Sequence, residues 1–145
     1  MKRLFVLIIA IGLLLVGCSQ DATNGNVEKS NSTKDKVYSN SWDGNPIIVK
    51  QKNNNGDYEI VNELTDKVEV KKLIEALENA DWQENVKVDI RPPNYIFNWN
   101  SYKHNVWVNE EVERLDLIIE GHSNYGTLSK VSSEFVFEIL TGKKN

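Results

Sequence analysis

The sequence is poor in the residues that build cross-linked or metal-rich proteins. Its 145 residues include one cysteine, two histidines, one methionine and three prolines. A single cysteine excludes an internal disulfide and any thiolate-based zinc cluster. Asp and Glu outnumber Lys and Arg by 21 to 17, and phosphate binding needs clustered basic side chains. We therefore expect neither a nucleic-acid partner nor a bound metal or cofactor.

Long apolar runs are absent after the first sixteen residues. Lys2 and Arg3 precede residues 4–16, which carry no polar side chain. This run is shorter than the ~20 residues that span a bilayer core. Its length and the preceding positive charges are typical of a secretory signal peptide. We predict that residues 1–17 are such a signal.

The run ends in a motif that contains the only cysteine, Leu15-Val16-Gly17-Cys18. The motif resembles the lipobox of bacterial lipoprotein precursors. The resemblance implies a diacylglyceryl group on the Cys18 sulfur and cleavage after Gly17. Two acyl chains anchor a protein stably, whereas one gives marginal binding. We expect a lipid-anchored protein on the extracytoplasmic face of the cell membrane; an ordinary signal peptide and an uncleaved anchor are the alternatives.

The next segment is polar, and a domain follows it. Residues 18–41 contain mostly Ser, Asn, Thr, Asp, Lys and Gly, too few apolar side chains to offset the entropy of ordering. Such a chain acts as a flexible linker with a reach of roughly 25 Å. Residues 42–145 have the length of one domain.

Helix and strand patterns alternate in this domain. One helix is predicted from the cap Asp66 to about Asn79, and another from Ser129 or Lys130 to Leu140. The apolar stripe predicted for the second helix is Val131, Phe135, Ile139 and Leu140. The strand candidates are Ile47–Val49, Tyr58–Val61, Trp82–Ile90, Tyr95–Trp99, His104–Val108, Leu115–Ile119 and Tyr125–Leu128. Short turns between them predict an α+β fold: an antiparallel sheet of about five to seven strands, with two amphipathic helices packed on one face.

Several motifs occur in a recognisable order. The lipobox and polar linker precede the segment from Arg91 to Phe97, Arg-Pro-Pro-Asn-Tyr-Ile-Phe, and a strand that ends in Val106-Trp107-Val108. Together they resemble small lipoproteins of Bacillus and its relatives, of the YhfM-like kind. The resemblance implies a Gram-positive surface lipoprotein. It implies no catalytic residue, because that family has no assigned activity.

Aromatic side chains are the main candidates for a binding site. Trp99, Tyr102 and Trp107 lie within nine residues of one predicted hairpin, with His104 between them. Tyr and Trp offer large rigid surfaces that suit binding, and flat rings stack on sugars. If Trp99 and Trp107 share the solvent-facing side of the sheet, they form a platform. The alternative is that both pack in the core.

Other residue groups suggest catalysis or metal binding, but none has the required spacing. The groups are His104 and His122 with Asp116 or Glu120, Ser123 beside His122, and the acidic residues Glu110, Glu111 and Glu113. The sequence has no zincin motif and no nucleophile elbow. We expect a binding or interaction module and not an enzyme. Its expected partner is a cell-wall glycan or another surface protein; a small wall hydrolase and a metal- or solute-binding lipoprotein remain alternatives.

Overall fold

A computed structural model describes residues 33–88 and 91–143 of the chain. Cys18 and the predicted signal peptide lie outside these ranges. The elements in chain order are α1 (Thr33–Tyr38), β1 (Ile47–Lys52), β2 (Tyr58–Leu64), α2 (Lys67–Glu78), β3 (Asp81–Glu84), β4 (Tyr95–Trp99), β5 (Tyr102–Asn109), β6 (Arg114–Ile119), β7 (Asn124–Thr127) and α3 (Lys130–Thr141). Within the same ranges, no helix has both the length and the hydropathy that a membrane span requires.

The strands form one antiparallel sheet in the order β2-β1-β4-β5-β6-β7-β3. The β1–β2 pairing shifts register between Val49 and Lys50, a β-bulge that leaves Lys50 opposite Ile60. The β4–β5 hairpin has a two-residue loop and places Trp99 opposite Tyr102. The predicted α+β class and antiparallel sheet are confirmed, with seven strands and with three helices in the described ranges.

One side of the sheet carries most of the buried side chains. We call it the core face, because Tyr95, Phe97 and Trp99 alternate on it along β4 and Tyr95 pairs with Val106 of β5. These residues belong to a single hydrophobic cluster with buried side chains of the helices. The helix residues in the cluster are Val37, Tyr38, Val70, Leu73, Ile74, Leu77, Val136, Ile139 and Leu140. Full burial of each such aliphatic side chain stabilises the fold by roughly 1.5–3 kcal/mol.

The two longer helices begin and end where capping chemistry predicts. The Asp66 carboxylate accepts hydrogen bonds from the amides of Val68 and Glu69, at 2.8 and 2.9 Å. The Ser129 hydroxyl accepts one from the Ser132 amide. Gly142 ends α3 in the left-handed conformation at φ 67°, which glycine adopts without a Cβ clash. The Asp66 cap was predicted from the sequence.

The buried side of α3 differs from the predicted stripe. Val131 is 77% exposed, and Phe135 is only half-buried. Ser133 is buried because its hydroxyl accepts a hydrogen bond from the Leu115 amide at 2.9 Å. That bond ties the helix to β6 through a polar residue, which an apolar periodicity does not reveal.

The strand predicted from Trp82 to Ile90 is shorter in the structure. It ends at Glu84, and Asn85 has a positive φ of 58°. A positive φ interrupts extended backbone, so the alternation of Val86 and Val88 reflects no strand. Ile90 lies outside the described residues.

Helix α1 lies within the segment that composition assigns to a flexible linker. The described residues fall in one compact unit. Within it, Val37 has no exposed surface and Tyr38 is 7% exposed. The folded part therefore begins before Trp42, because these two side chains bury enough apolar surface to order the polar residues around them.

Candidate ligand-binding cleft at Trp42

Trp42 stands between two depressions in the surface, half-buried on the segment that joins α1 to β1. The first has a volume of about 330 Å³ and the second about 390 Å³. Asn40, Trp42 and Trp99 line both. We call the combined feature the Trp42 cleft, with an α2 side and a loop side. Its size suits a small ligand, since ligand sites occupy about 300–1,000 Å³.

The loop after Trp42 holds its indole in place. The Trp42 Nε1 donates to the Asn45 carbonyl at 2.7 Å. Asp43 in turn accepts from the Asn45 backbone amide at 2.9 Å and from its side-chain amide at 2.7 Å. The same two bonds from Asn45 lower the pKa of the exposed Asp43 carboxyl. The indole is therefore fixed in advance, which reduces the entropy cost of binding.

The α2 side of the cleft is mainly apolar. Its lining includes the buried side chains of Val70 and Ile74. Lys67 and Lys71 stand at its border, and Glu75 forms a 3.5 Å ion pair with Lys71. Both members of that pair are more than half exposed, so it contributes little to stability. This side offers an apolar surface edged by charge.

The loop side of the cleft carries amides and hydroxyls. Its lining includes Asn98, Asn100 and Ser101 as well as Asn45. The Asn100 amide donates to the Val37 carbonyl at 3.1 Å. Within the described ranges, the Asn40 side chain makes no hydrogen bond to protein. Each amide offers two donors and one acceptor, so this side can hydrogen-bond a polar ligand.

The core face fixes the chain that leads into the cleft. His104 is 1% exposed and stacks on Phe97, with ring centroids 4.9 Å apart. Its Nδ1 donates to the Tyr102 carbonyl at 3.0 Å, and this fixes the tautomer in which Nε2 accepts from the Tyr38 hydroxyl, also at 3.0 Å. Burial lowers the pKa of His104 to about 4, against a smaller opposing effect of the Tyr102 carbonyl. The histidine is therefore neutral at pH 7.

The structure does not bring the four predicted hairpin residues together at the surface. Trp99 and His104 lie on the core face, while Trp107 points to the opposite side, because Val106 pairs with Tyr95 and neighbouring residues alternate. Trp99 and Trp107 are 4% and 7% exposed. They form no shared platform. Trp99 nevertheless lines the Trp42 cleft, with its Nε1 bonded to the Val37 carbonyl.

The segment before β4 covers Trp107. The indole Nε1 donates to the Arg91 carbonyl at 2.7 Å, and the Arg91 guanidinium donates to the Val108 carbonyl. Tyr58 supports the same segment by donating to the Pro93 carbonyl at 2.9 Å. Trp107 is thus buried on the side of the sheet that we expected to be wet. Tyr102 is half-buried, and its ring contacts that of His122.

The residues of the catalytic and metal alternatives do not form a site in the part of the chain described here. No three His, Cys, Asp or Glu side chains there are arranged to hold a metal ion. The described contacts include no hydrogen bond between Ser123 and His122. In the acidic group, Glu113 pairs with Lys130, and this partner lowers the pKa of the Glu113 carboxyl.

Sequence reasoning missed Trp42 as a functional candidate. It marked only the start of the predicted domain, because the segment before it was assigned to the linker. The signal that could have found it is the pair Val37-Tyr38, the largest apolar residues near that end of the linker. A buried pair there implies that the chain between it and β1 is also fixed on the domain.

The fold and cleft define a small α+β domain with a preformed surface site. A family model described as YhfM protein matches residues 41–145. The chain belongs to the YhfM family, and the YhfM-like part of the predicted resemblance is confirmed. No curated protein and no solved structure matches the chain.

Proposed function

We propose that this chain is a lipid-anchored extracytoplasmic protein that binds a polar saccharide in the Trp42 cleft. The observation that carries the proposal is the fixed, half-buried indole between an apolar surface and a group of amides. Saccharides present apolar C–H faces and many hydroxyls, which suit an aromatic ring and amide side chains. Cell-wall glycans are the corresponding partner at the membrane–wall interface.

We also infer that α2 and α3 cover one face of the sheet. Buried residues of both helices join one hydrophobic cluster with alternate residues of β4, β5 and β6. This arrangement supports the proposed site, because α2 then borders the cleft at one end of the covered face. The proposed function is binding, because the cleft lining combines an aromatic ring and an apolar surface with amide side chains.

Titration of the full chain, purified in detergent, tests the saccharide site. The probes are a tetrasaccharide of N-acetylglucosamine and a tetrasaccharide of glucose, which has no acetamido groups. Trp42→Ala should weaken binding at least tenfold, because truncating a central aromatic residue costs about 2 kcal/mol or more. Asn40→Ala should weaken it about fivefold by removing one hydrogen bond. Trp107→Phe is the matched control and should leave affinity unchanged, and equal effects of Trp42→Ala and Trp107→Phe would count against the cleft.

Metabolic labelling with an alkyne analogue of palmitate tests the anchor. The full chain should take up the label and remain with the membrane fraction of a bacterial host. Cys18→Ala should abolish labelling, because it removes the sulfur that would carry the lipid. Membrane residence that persists in the unlabelled variant would show that another segment anchors the protein.

A further inference from the structure

Helix α1 is held on the sheet by a small number of identifiable contacts. The Val37 carbonyl accepts two hydrogen bonds, from Trp99 Nε1 and from Asn100 Nδ2, both at 3.1 Å. These donors lie at the end of β4 and in the turn that follows. The hydrogen bonds therefore attach the last turn of α1 to the same hairpin end that lines the cleft.

Tyr38 adds the second attachment. Its hydroxyl donates to the buried His104 Nε2, and its ring contacts Trp82 at a centroid distance of 6.2 Å. Both partners of the hydrogen bond are buried. Loss of the hydroxyl would leave the histidine nitrogen without a donor in a dry environment, which is costly.

One residue, Ser39, separates Tyr38 from Asn40, where the lining of the cleft begins. The position of Asn40, Ser41 and Trp42 therefore depends on the docking of α1. We propose that α1 is a latch for the Trp42 cleft: docked, it holds one wall of the site in place, and released, it dismantles that wall.

The latch is built to open before the rest of the fold. A six-residue helix is not stable alone in water, so α1 depends on Val37 and Tyr38 for its order. Few identified contacts hold α1 on the sheet, and local opening of such an element costs less free energy than global unfolding. The sheet keeps its ladder of hydrogen bonds when α1 leaves.

The latch couples ligand binding to the length of the tether, and this step rests on the proposed function. Release of α1 adds residues 33–41 to the chain between anchor and domain, up to about 30 Å when extended. A ligand that contacts both Trp42 and the fixed hairpin favours the docked state. By reciprocity, release of α1 must lower the affinity for the ligand by the same factor by which the ligand favours docking of α1.

Hydrogen exchange and hydroxyl-radical footprinting on the detergent-purified full chain test the latch without a ligand. Tyr38→Phe keeps the ring and removes the bond to His104. We expect amide exchange in 36–42 and radical labelling of Trp42 to rise about tenfold, with 36–42 still exchanging faster than β5 and β6. The control is Tyr102→Phe, which removes the hydroxyl of a tyrosine on β5. Val37→Ala is a second variant that loosens α1 through packing.

Three outcomes decide the matter. If exchange in α1 rises while Trp42 labelling stays constant, the wall does not depend on α1 and the latch is wrong. The latch is also wrong if α1 amides exchange only as slowly as those of β5 in every variant. The N-acetylglucosamine tetrasaccharide provides the last arm: it should protect 36–42 in the wild type and bind about tenfold more weakly to Tyr38→Phe. If the saccharide binds neither the wild type nor Tyr38→Phe, the proposed saccharide function is wrong. The radical labelling of Trp42 still tests the latch, because it needs no ligand.

Discussion

Single residues in this fold carry backbone strain that a substitution can relieve. Asn100 and Ser101 form the β4–β5 loop, and both have positive φ, 48° and 66°. Two-residue loops of this kind favour Asn followed by Gly, and a non-glycine residue in that region costs roughly 1 kcal/mol. Ser101→Gly should raise the free energy of unfolding by about 0.5–1 kcal/mol, since the added freedom of the unfolded chain offsets part of the gain. Urea denaturation measures it, and Ser101→Val should shift the midpoint the opposite way.

Gly126 is the second residue with a sharp prediction, and here the reason is space. A Cβ at this position would lie 2.9 Å from the Trp82 ring. Trp82 cannot easily retreat, because its Nε1 donates to the Leu77 carbonyl at 2.8 Å. Gly126→Ala should therefore lower the free energy of unfolding by about 1–3 kcal/mol. The added variant Trp82→Leu should recover part of that loss, and an equally unstable double variant would contradict the steric explanation.

At the scale of elements, the burial of His104 on β5 makes stability depend on pH. His104 has a pKa of about 4 in the folded protein because it is buried, and 6.5 when exposed. As pH falls from 6.5 to 4, His104 becomes protonated in the unfolded chain but stays neutral in the folded protein. Stability is thus full above pH 6.5, and roughly 3 kcal/mol is lost by pH 4. Denaturation from pH 7 to 5 isolates this effect, because the lowered pKa values of the exposed Asp43 and Glu113 act at lower pH.

The matched variants for this pH effect replace both members of the pair or the other histidine. Tyr38→Phe with His104→Phe removes donor and acceptor together, which avoids an unpaired buried atom. The double variant should lose most of the slope between pH 6.5 and 5. His122→Gln should keep it. A wild-type slope in the double variant would assign the pH dependence to another group.

For the whole molecule, the structure predicts where the stable domain begins. A chain of residues 31–145 retains α1, whereas 42–145 lacks Val37 and Tyr38 and leaves His104 without its donor. The shorter chain should lose about 1–3 kcal/mol of unfolding free energy, because it leaves the buried His104 Nε2 without its hydrogen-bond donor. Urea denaturation of both chains measures the difference. Equal stability would show that α1 adds nothing to the fold.

The sequence could predict the elements better than the site, for physical reasons. Asp66 and Ser129 predict the helix starts because capping is local, and alternation predicts the central strands. The faces of Trp99 and Trp107 depend on the two-residue loop at Asn100, which sets the pairing register. The Trp42 cleft was not predicted, since it exists only when a short polar segment folds onto residues 66 positions later in the chain.

The β-bulge at Val49 and Lys50 affects whether other chains can add strands to this sheet. An antiparallel sheet with free edges can recruit strands from other chains and aggregate. Here one edge strand, β3, has only four residues, and the other, β2, is displaced by the bulge. Glu59 and Glu63 flank the exposed Ile60 along β2. Irregular pairing and like charges make this edge a poor template for a strand from another chain.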